Sequence, residues 1–315
     1  MGEHIRDMII HAEGLVGKEP IAVLERSTGD HSFVAFHGIT AVNRQWFWDA
    51  LWPYGNVLLA GLPGHGPLPA PAATNWQEWT PQHFIEVGID TVRQLGRGRP
   101  VTLIGHSTGG MISLGVAQQA PELVERLILI APVVWNELTG IVGMWQRFAK
   151  RPRMLRGIIA ATYGQTRRNK TLFWASLRSF IADTESVYAN DHILKAVHEG
   201  YEDMLQTPIA AIAGVTHVLN QVDLRASLKD NPPNVPTLLI HGEQDPIVPF
   251  VQAQWLALHL PQIDFRPLPG VGHLPHGERE ALVNQMIVEW CKQHPVAQRM
   301  FLPRLSRAAL AWDMV

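Results

Sequence analysis

Along the chain, short runs that are apolar almost throughout alternate with longer stretches of mixed polarity. The runs are Val57-Leu58-Leu59-Ala60, Val101-Thr102-Leu103-Ile104, Leu127-Ile128-Leu129-Ile130, Thr237-Leu238-Leu239-Ile240 and a weaker Ile263-Asp264-Phe265-Arg266. A strand that is apolar at successive positions, not alternate ones, is buried on both faces. That predicts a mainly parallel sheet covered by helices. Helix-length segments lie between the runs: Pro81 to Leu95, Gly110 to Gln119 and Arg279 to Trp290. Strand, helix, strand in this order is the pattern of an α/β fold. Upstream, Ile21 to Glu25 and Ser32 to Phe36 flank the turn cluster Ser27-Thr28-Gly29-Asp30 and read as a hairpin.

One stretch breaks the alternation. From about Trp135 to Pro232 no strand-like run of comparable quality occurs. Amphipathic, helix-prone segments replace it: Val142 to Lys150, Thr171 to Ala182 and Asp191 to Leu205. The pattern divides the chain into a core, 1–134 with 233–315, and a helical insertion, 135–232. Arg147, Lys150, Arg151, Arg153, Arg156, Arg167, Arg168 and Lys170 crowd the first part of the insertion. They read as its solvated face, a patch for an acidic partner being the alternative. Pro232-Pro233 closes the insertion. The tail from Pro295 sets Phe301, Leu302, Leu305, Leu310 and Trp312 among arginines, and whether it docks or lies free stays open.

Composition narrows the function. Hydrophobic residues make up 46% of the 315 positions and charged ones 17%, which suits a packed core and not a disordered or coiled-coil chain. The net charge of −2 offers no basic excess for a phosphate backbone, so no nucleic-acid partner is expected. The single cysteine, Cys291, excludes a disulfide framework and a thiolate metal site. No run of 18 apolar residues appears, and the start, Met1 to Asp7, carries acids and does not read as a secretory signal. The expected compartment is the cytoplasm, with no membrane span. Oligomeric state is not readable.

The strongest chemical signal is Gly105-His106-Ser107-Thr108-Gly109-Gly110, directly after one strand-like run and opening a helix. This is the G-x-S-x-G pattern in the context it requires. A serine on so tight a turn projects its Oγ out of the sheet, and the positions two residues to either side must be small. The helix N-terminus aims free N–H groups at the same place, where negative charge would develop. A serine needs a base to become a nucleophile. Among 15 histidines, His273 in Gly270-Val271-Gly272-His273 is the best placed, with His276 as local rival; His37 and His241 end strands and read as structural. The pair His273 and His276 lacks a carboxylate-rich partner set for a metal, so no metal or cofactor is expected. The third member should be an acid after another strand, to hold the imidazole tautomer and balance its charge. Asp245 in His241-Gly242-Glu243-Gln244-Asp245-Pro246 fits, although Asp-Pro also suits a simple turn; Glu243 and Glu137 are rivals. Oxyanion donors are expected from the backbone N–H groups of Thr108 and, in Phe36-His37-Gly38-Ile39, of Ile39.

Together with Gly61-Leu62-Pro63-Gly64-His65-Gly66 and Val248-Pro249, these segments resemble the α/β-hydrolase superfamily, in its branch of capped serine esterases and C–C bond hydrolases. The order Ser, Asp, His is that of the family. The resemblance covers roughly residues 20 to 134 and 233 to 293 and omits the insertion. It departs at Leu62-Pro63-Gly64, where the family often has an aspartic acid. It implies an α/β-hydrolase fold, a mainly parallel sheet flanked by helices, with 135–232 as a helical cap or lid. It further implies cleavage of a carboxylic ester of a small to medium hydrophobic substrate through an acyl-enzyme. Cleavage of a C–C bond, thioester or lactone by the same residues, or a non-catalytic ligand receptor, are the alternatives. From the insertion, Trp135, Trp145, Phe173 and Trp174 are expected to line the substrate pocket.

Overall fold

The structure, a computed structural model, describes residues 4–27, 29–45, 50–66, 76–260 and 262–296. Phe301, Leu302, Leu305, Leu310 and Trp312 lie outside the described residues. Eight strands form one sheet: β1 His4–Gly14, β2 Gly17–Ser27, β3 Ser32–Phe36, β4 Asn56–Ala60, β5 Val101–His106, β6 Val124–Ile130, β7 Thr237–Gly242 and β8 Ile263–Leu268. Their order is β1-β2-β4-β3-β5-β6-β7-β8. β1 and β2 run antiparallel at one edge, β2 meets β4 antiparallel, and the other pairs are parallel. The α/β-hydrolase fold class, a mainly parallel sheet flanked by helices, is what the chain adopts.

The apolar runs are buried on both faces in a simple way. In β3, Val34 and Phe36 belong to one core cluster and Phe33 and Ala35 to the other. In β6, Leu127 and Leu129 face the first cluster while Ile128 and Ile130 face the second. Side chains alternate across a strand, so both faces need cover and no position can be polar without a partner. The helices Pro81–Gly96 and Thr108–Gln119 supply Phe84, Val87 and Met111 to the first cluster; the helix Glu280–Gln293 supplies Val283, Ile287 and Trp290 to the second.

The expected hairpin of Ile21 to Glu25 with Ser32 to Phe36 is not formed. β4 lies between the two strands. Ile21 to Glu25 pairs instead with β1, Ile21 opposite Ile10 and Glu25 opposite Arg6. Beside the start of β4, Gly29 N–H donates to Asn56 Oδ1 (3.1 Å) and Asn56 N–H to the His31 carbonyl (2.7 Å). Both segments are buried and each strand has a neighbour on either side: β3 lies between the parallel strands β4 and β5, and β2 lies between β4 and the edge strand β1. In β1, Met8, Ile10 and Ala12 turn inward, while the outer face mixes Asp7, His11 and Glu13 with the exposed Ile5 and Ile9.

Between β6 and β7 the chain makes helices, a π-helical turn at Ala160–Gly164 and a lone bridge between Trp135 and Asp223. The segment has no core of its own. Trp145, Ile159 and Ile212 belong to the same cluster as Val34 and Leu103 of the sheet. Arg147, Lys150, Arg151, Arg153, Arg156, Arg168 and Lys170 are exposed, as expected for a solvated face. Arg167 is not: it is buried and donates to the carbonyls of Met204 and Thr207.

At the opposite end of the sheet from the β5–helix turn, Arg126 of β6 donates through Nη1 to the Cys291 and His294 carbonyls (both 3.0 Å) and through Nε to Thr102 Oγ1 (2.9 Å). It thereby satisfies carbonyls at the C-terminus of the Glu280–Gln293 helix. Arg126→Ala should lower stability by about 1–3 kcal/mol, because buried acceptors lose their donor. Urea unfolding midpoints measure this, and an unchanged midpoint would remove Arg126 from the account of how that helix is anchored.

Candidate active site

β3 and β5 are neighbours, yet the chain leaves β3 toward one side of the sheet and β5 toward the other. Their C-terminal ends therefore flank a topological switch point, where open α/β sheets bind ligands. Phe36 pairs with Gly105 there, so the two succeeding loops, from His37 and from Ser107, start side by side.

Ser107 connects β5 to the Thr108–Gln119 helix with φ 54° and ψ −114°. A non-glycine residue in this left-handed region carries strain of about 1–3 kcal/mol. The surroundings hold it: Ser107 N–H donates to the Ile130 carbonyl (3.0 Å), and the Ser107 carbonyl accepts from Met111 (3.2 Å) and Val133 (3.1 Å). The helix begins against the end of β3, and a Cβ at 109 would collide with the Phe36 carbonyl oxygen. Gly38 is equally close, since a Cβ there would lie 3.0 Å from Ser107 Cβ. Among the described residues, the backbone N–H groups of Ile39 and Thr108 have no hydrogen-bond partner. They are two donors left open beside the serine.

The histidine and the acid converge on the same place. Ser107 Oγ–H donates to His273 Nε2 (3.0 Å), and His273 Nδ1–H donates to Asp245 Oδ2 (2.8 Å). All three side chains are buried. Asp245 Oδ1 also accepts from the backbone N–H groups of Ile247 (2.8 Å) and Val248 (2.9 Å), and His241 Nε2 lies 3.2 Å from Oδ2. Burial opposes ionisation of Asp245, but the charge of His273 and the hydrogen bonds from both histidines outweigh it. The carboxyl is held well below the usual carboxylate range. An imidazole held this way can accept the serine proton at Nε2 while the carboxylate balances the charge at Nδ1.

The rivals lie elsewhere. Glu243 and Glu137 are exposed, and Glu137 accepts from the indole N–H of Trp135 (3.2 Å). His276 stands edge-on to His106, ring centres 4.7 Å apart, and burial followed by the charge of His273 pushes it down to about 3. His106 reaches the His273 carbonyl through Nε2 (2.9 Å) and is pushed well below its ordinary range by burial, then by His276 and His273. His37 is pushed down to about 3 by burial and then His65, and its Nδ1–H donates to the Gly38 carbonyl (2.8 Å). His241, read as structural, donates through Nε2 to the Val248 carbonyl (3.0 Å) on the loop that carries Asp245, and so stands beside that carboxylate. Its place four residues before that aspartate was the one signal available. Among the described residues no cluster of three or more His, Cys, Asp or Glu converges as a metal site.

Beside His273 opens a cavity that is partly open to solvent. Its walls include Ile39, Thr40, His106, Trp145, Phe173, Leu177, Phe180, Ile181 and His273. Of the four aromatic residues named from the sequence, Trp145 and Phe173 are among the walls of this cavity and Trp135 and Trp174 are not. Trp135 packs edge-on to Trp255 under the Arg225 guanidinium, and Trp174 packs on Phe173 and Tyr188. Leu177, Phe180 and Ile181 take part instead. Aromatic content marked the region, but a helix's rotation about its axis decides which residues face inward, and their apolar neighbours hid that.

The family model described as "Alpha/beta hydrolase family" matches residues 33–285. A pimeloyl-[acyl-carrier protein] methyl ester esterase of Nitrosomonas europaea is 32% identical over 68% of this chain and 76% of its own length. A protein of the same name from Aromatoleum aromaticum is 29% identical over 72% of this chain and 86% of its own. Among solved structures, a thermophilic esterase from Thermogutta terrifontis superposes with TM-score 0.69 at 21% identity, covering 92% of this chain and 100% of that one. An enol-lactonase from Burkholderia xenovorans gives TM-score 0.68 at 15% identity, covering 90% and 100%. No helix among the described residues is long and apolar enough to cross a membrane. The sheet order, the strained serine turn and the family match over residues 33–285 agree, and the chain belongs to the alpha/beta hydrolase family.

Proposed function

We propose that this hydrolase cleaves a carboxylic ester of a small to medium hydrophobic substrate through an acyl-enzyme on Ser107. The observation that carries the reading is the unbroken chain of hydrogen bonds from Ser107 Oγ through His273 to Asp245, beside an apolar cavity. His273 takes the Ser107 proton as Oγ attacks the carbonyl carbon. The Ile39 and Thr108 N–H groups stabilise the oxyanion. His273 then protonates the leaving alcohol, and water, activated by the same imidazole, releases the acid. Asp245 keeps the tautomer and balances the imidazolium.

Residues 135–232 serve in this reading as a cap, and 1–134 with 233–315 as the core. Support comes from the cavity walls, to which Trp145, Phe173, Leu177 and Phe180 contribute from the segment. Apolar walls near the nucleophile favour an acyl or alkyl group over a sugar or a charged metabolite. The relatives named as methyl ester esterases support an ester as the bond cleaved. The protein would act on a small molecule or acyl group without a cofactor or metal, and in the cytoplasm.

Ser107→Ala should fold and retain less than about a thousandth of wild-type turnover on p-nitrophenyl esters. Fluorophosphonate should label Ser107, as mapped by mass spectrometry; label on another serine would displace it as nucleophile. Asp245→Asn should cost about ten-thousandfold, because the amide neither stabilises the imidazolium nor fixes the tautomer. Glu243→Gln and Glu137→Gln, changed at exposed sites, should stay near wild type, and a larger loss at either would move the acid. Finally, Trp145→Ala and Phe173→Ala should alter the ranking of acyl chain lengths by about 1–3 kcal/mol per methylene in kcat/KM, whereas Trp135→Ala and Trp174→Ala should leave it close to wild type. Identical profiles in all four folded variants would count against the cavity as the acyl site.

A further inference from the structure

Glu278 carries a buried carboxylate that the chemistry at Ser107 does not use. It ends the short helix Pro275–Glu278 and is 2% exposed. Among the described residues its carboxylate partners are all backbone N–H groups. Oε1 accepts from Gly272 (2.9 Å) and Leu274 (3.3 Å); Oε2 accepts from Gly272 (3.0 Å), Ala182 (2.8 Å) and Asp183 (2.8 Å). Gly272 and Leu274 flank His273. Ala182 and Asp183 belong to the helical segment. Between them, His273 N–H donates to the Phe180 carbonyl (2.8 Å). All three consecutive amides of the loop are therefore engaged, two by Glu278 and one by the segment. The packing leaves no slack, since a Cβ at 272 would lie 2.6 Å from Ala182 N and 3.0 Å from Glu278 Oε1. The next residue, Arg279, turns its guanidinium to Asp183 and to Ser186 in the helix Thr184–Tyr188 that follows it.

A carboxylate suits this place because it only accepts, and it can serve several donors at once. A carboxamide of the same shape would direct its NH₂ at one pair of N–H groups. We propose that Glu278 is a positioning residue for His273: it fastens the Gly272–Leu274 loop and the Ala182–Asp183 turn into one unit, and so sets the imidazole's distance from Ser107. The inference rests on the reading of His273 as the base. It makes the helical segment part of what holds the base, beyond any role as a wall for substrate.

Glu278→Gln tests it, with Ser107→Ala alongside and p-nitrophenyl butyrate as substrate. Kcat should fall about 10- to 100-fold, as expected for a base displaced by a fraction of an ångström to an ångström, with KM nearly constant. Fluorophosphonate labelling of Ser107 should slow in parallel. The far-downfield proton resonance of His273 Nδ1–H should shift or broaden. A folded Glu278→Gln protein with wild-type kcat, labelling rate and resonance would overturn the inference, as would a lowered melting temperature with unchanged kcat per labelled site. If Ser107→Ala kept full activity, the underlying reading would fail; if Ser107→Ala were inactive and Glu278→Gln behaved as wild type, only the inference would. Should Glu278→Gln not fold, Glu278→Asp, which keeps the charge and withdraws it by one methylene, is judged by the same readouts.

Discussion

The rest of the site depends on one close approach, the first turn of the Thr108–Gln119 helix against the end of β3. At position 109 the backbone meets the Phe36 carbonyl with no room for a side chain. To start a helix that near the neighbouring strand, the chain must turn sharply at Ser107, which takes up a left-handed φ of 54°. The strain is local and modest, about 1–3 kcal/mol, and the buried sheet around it is large enough to hold it. Its consequences are geometric. The hydroxyl leaves the sheet at its C-terminal edge, the first helical N–H has no carbonyl to bond, and the loop after β3 passes close enough for Gly38 to abut the serine. The same turn thus presents the serine hydroxyl and opens two N–H donors beside it.

The loops around this turn are fastened to the helical segment as much as to the sheet. His273 N–H bonds the Phe180 carbonyl, the Tyr163 hydroxyl donates to the Thr40 carbonyl (3.2 Å), and Gly66 N–H donates to Thr207 Oγ1 (2.9 Å). Burial raises the Tyr163 hydroxyl above its ordinary range, so it stays a donor. The apolar cluster crosses from sheet to segment without a break. A segment that swung away as a body would expose that cluster and break these bonds together. Entry of a substrate is easier to reconcile with small movements of the cavity's own walls.

The core of the fold was legible because burial on both faces writes a plain pattern. β5 to β7 and the serine turn follow from it; Asp245 comes after the end of β7, and His273 in the loop after β8, a weaker strand-like run. The pattern speaks less clearly at the edge. β1 is not legible because one of its faces stays exposed, with Ile5 and Ile9 among its polar positions. Ile21 to Glu25 of β2, buried throughout, reads as a strand but with the wrong partner, since a turn cluster between two strands does not reveal that a third strand separates them. Inside the site, type was readable and orientation was not. Nothing in the sequence distinguishes Trp174, turned toward Tyr188, from Phe173, turned into the cavity. Glu278 was invisible for another reason: its partners are backbone amides, which carry no residue signature.

Charge within the site is arranged by subtraction. His106 lies 4.9 Å from His273 and 4.7 Å from His276, ring centre to ring centre. Three imidazoles this close cannot all carry a proton, and burial decides the matter by holding His106 and His276 well below their ordinary range. In the proposed chemistry an imidazolium formed at His273 then meets neutral rings on one side and a single ionised carboxylate on the other. Asp245 is fitted to that task because its lone pairs are already committed, to the N–H groups of Ile247 and Val248 as well as to His273, with His241 close by. These bonds favour the anion over the acid, so the proton that leaves Ser107 stays on His273 and does not pass on to Asp245. It is then available at Nε2 for the leaving group, which is where acyl transfer needs it.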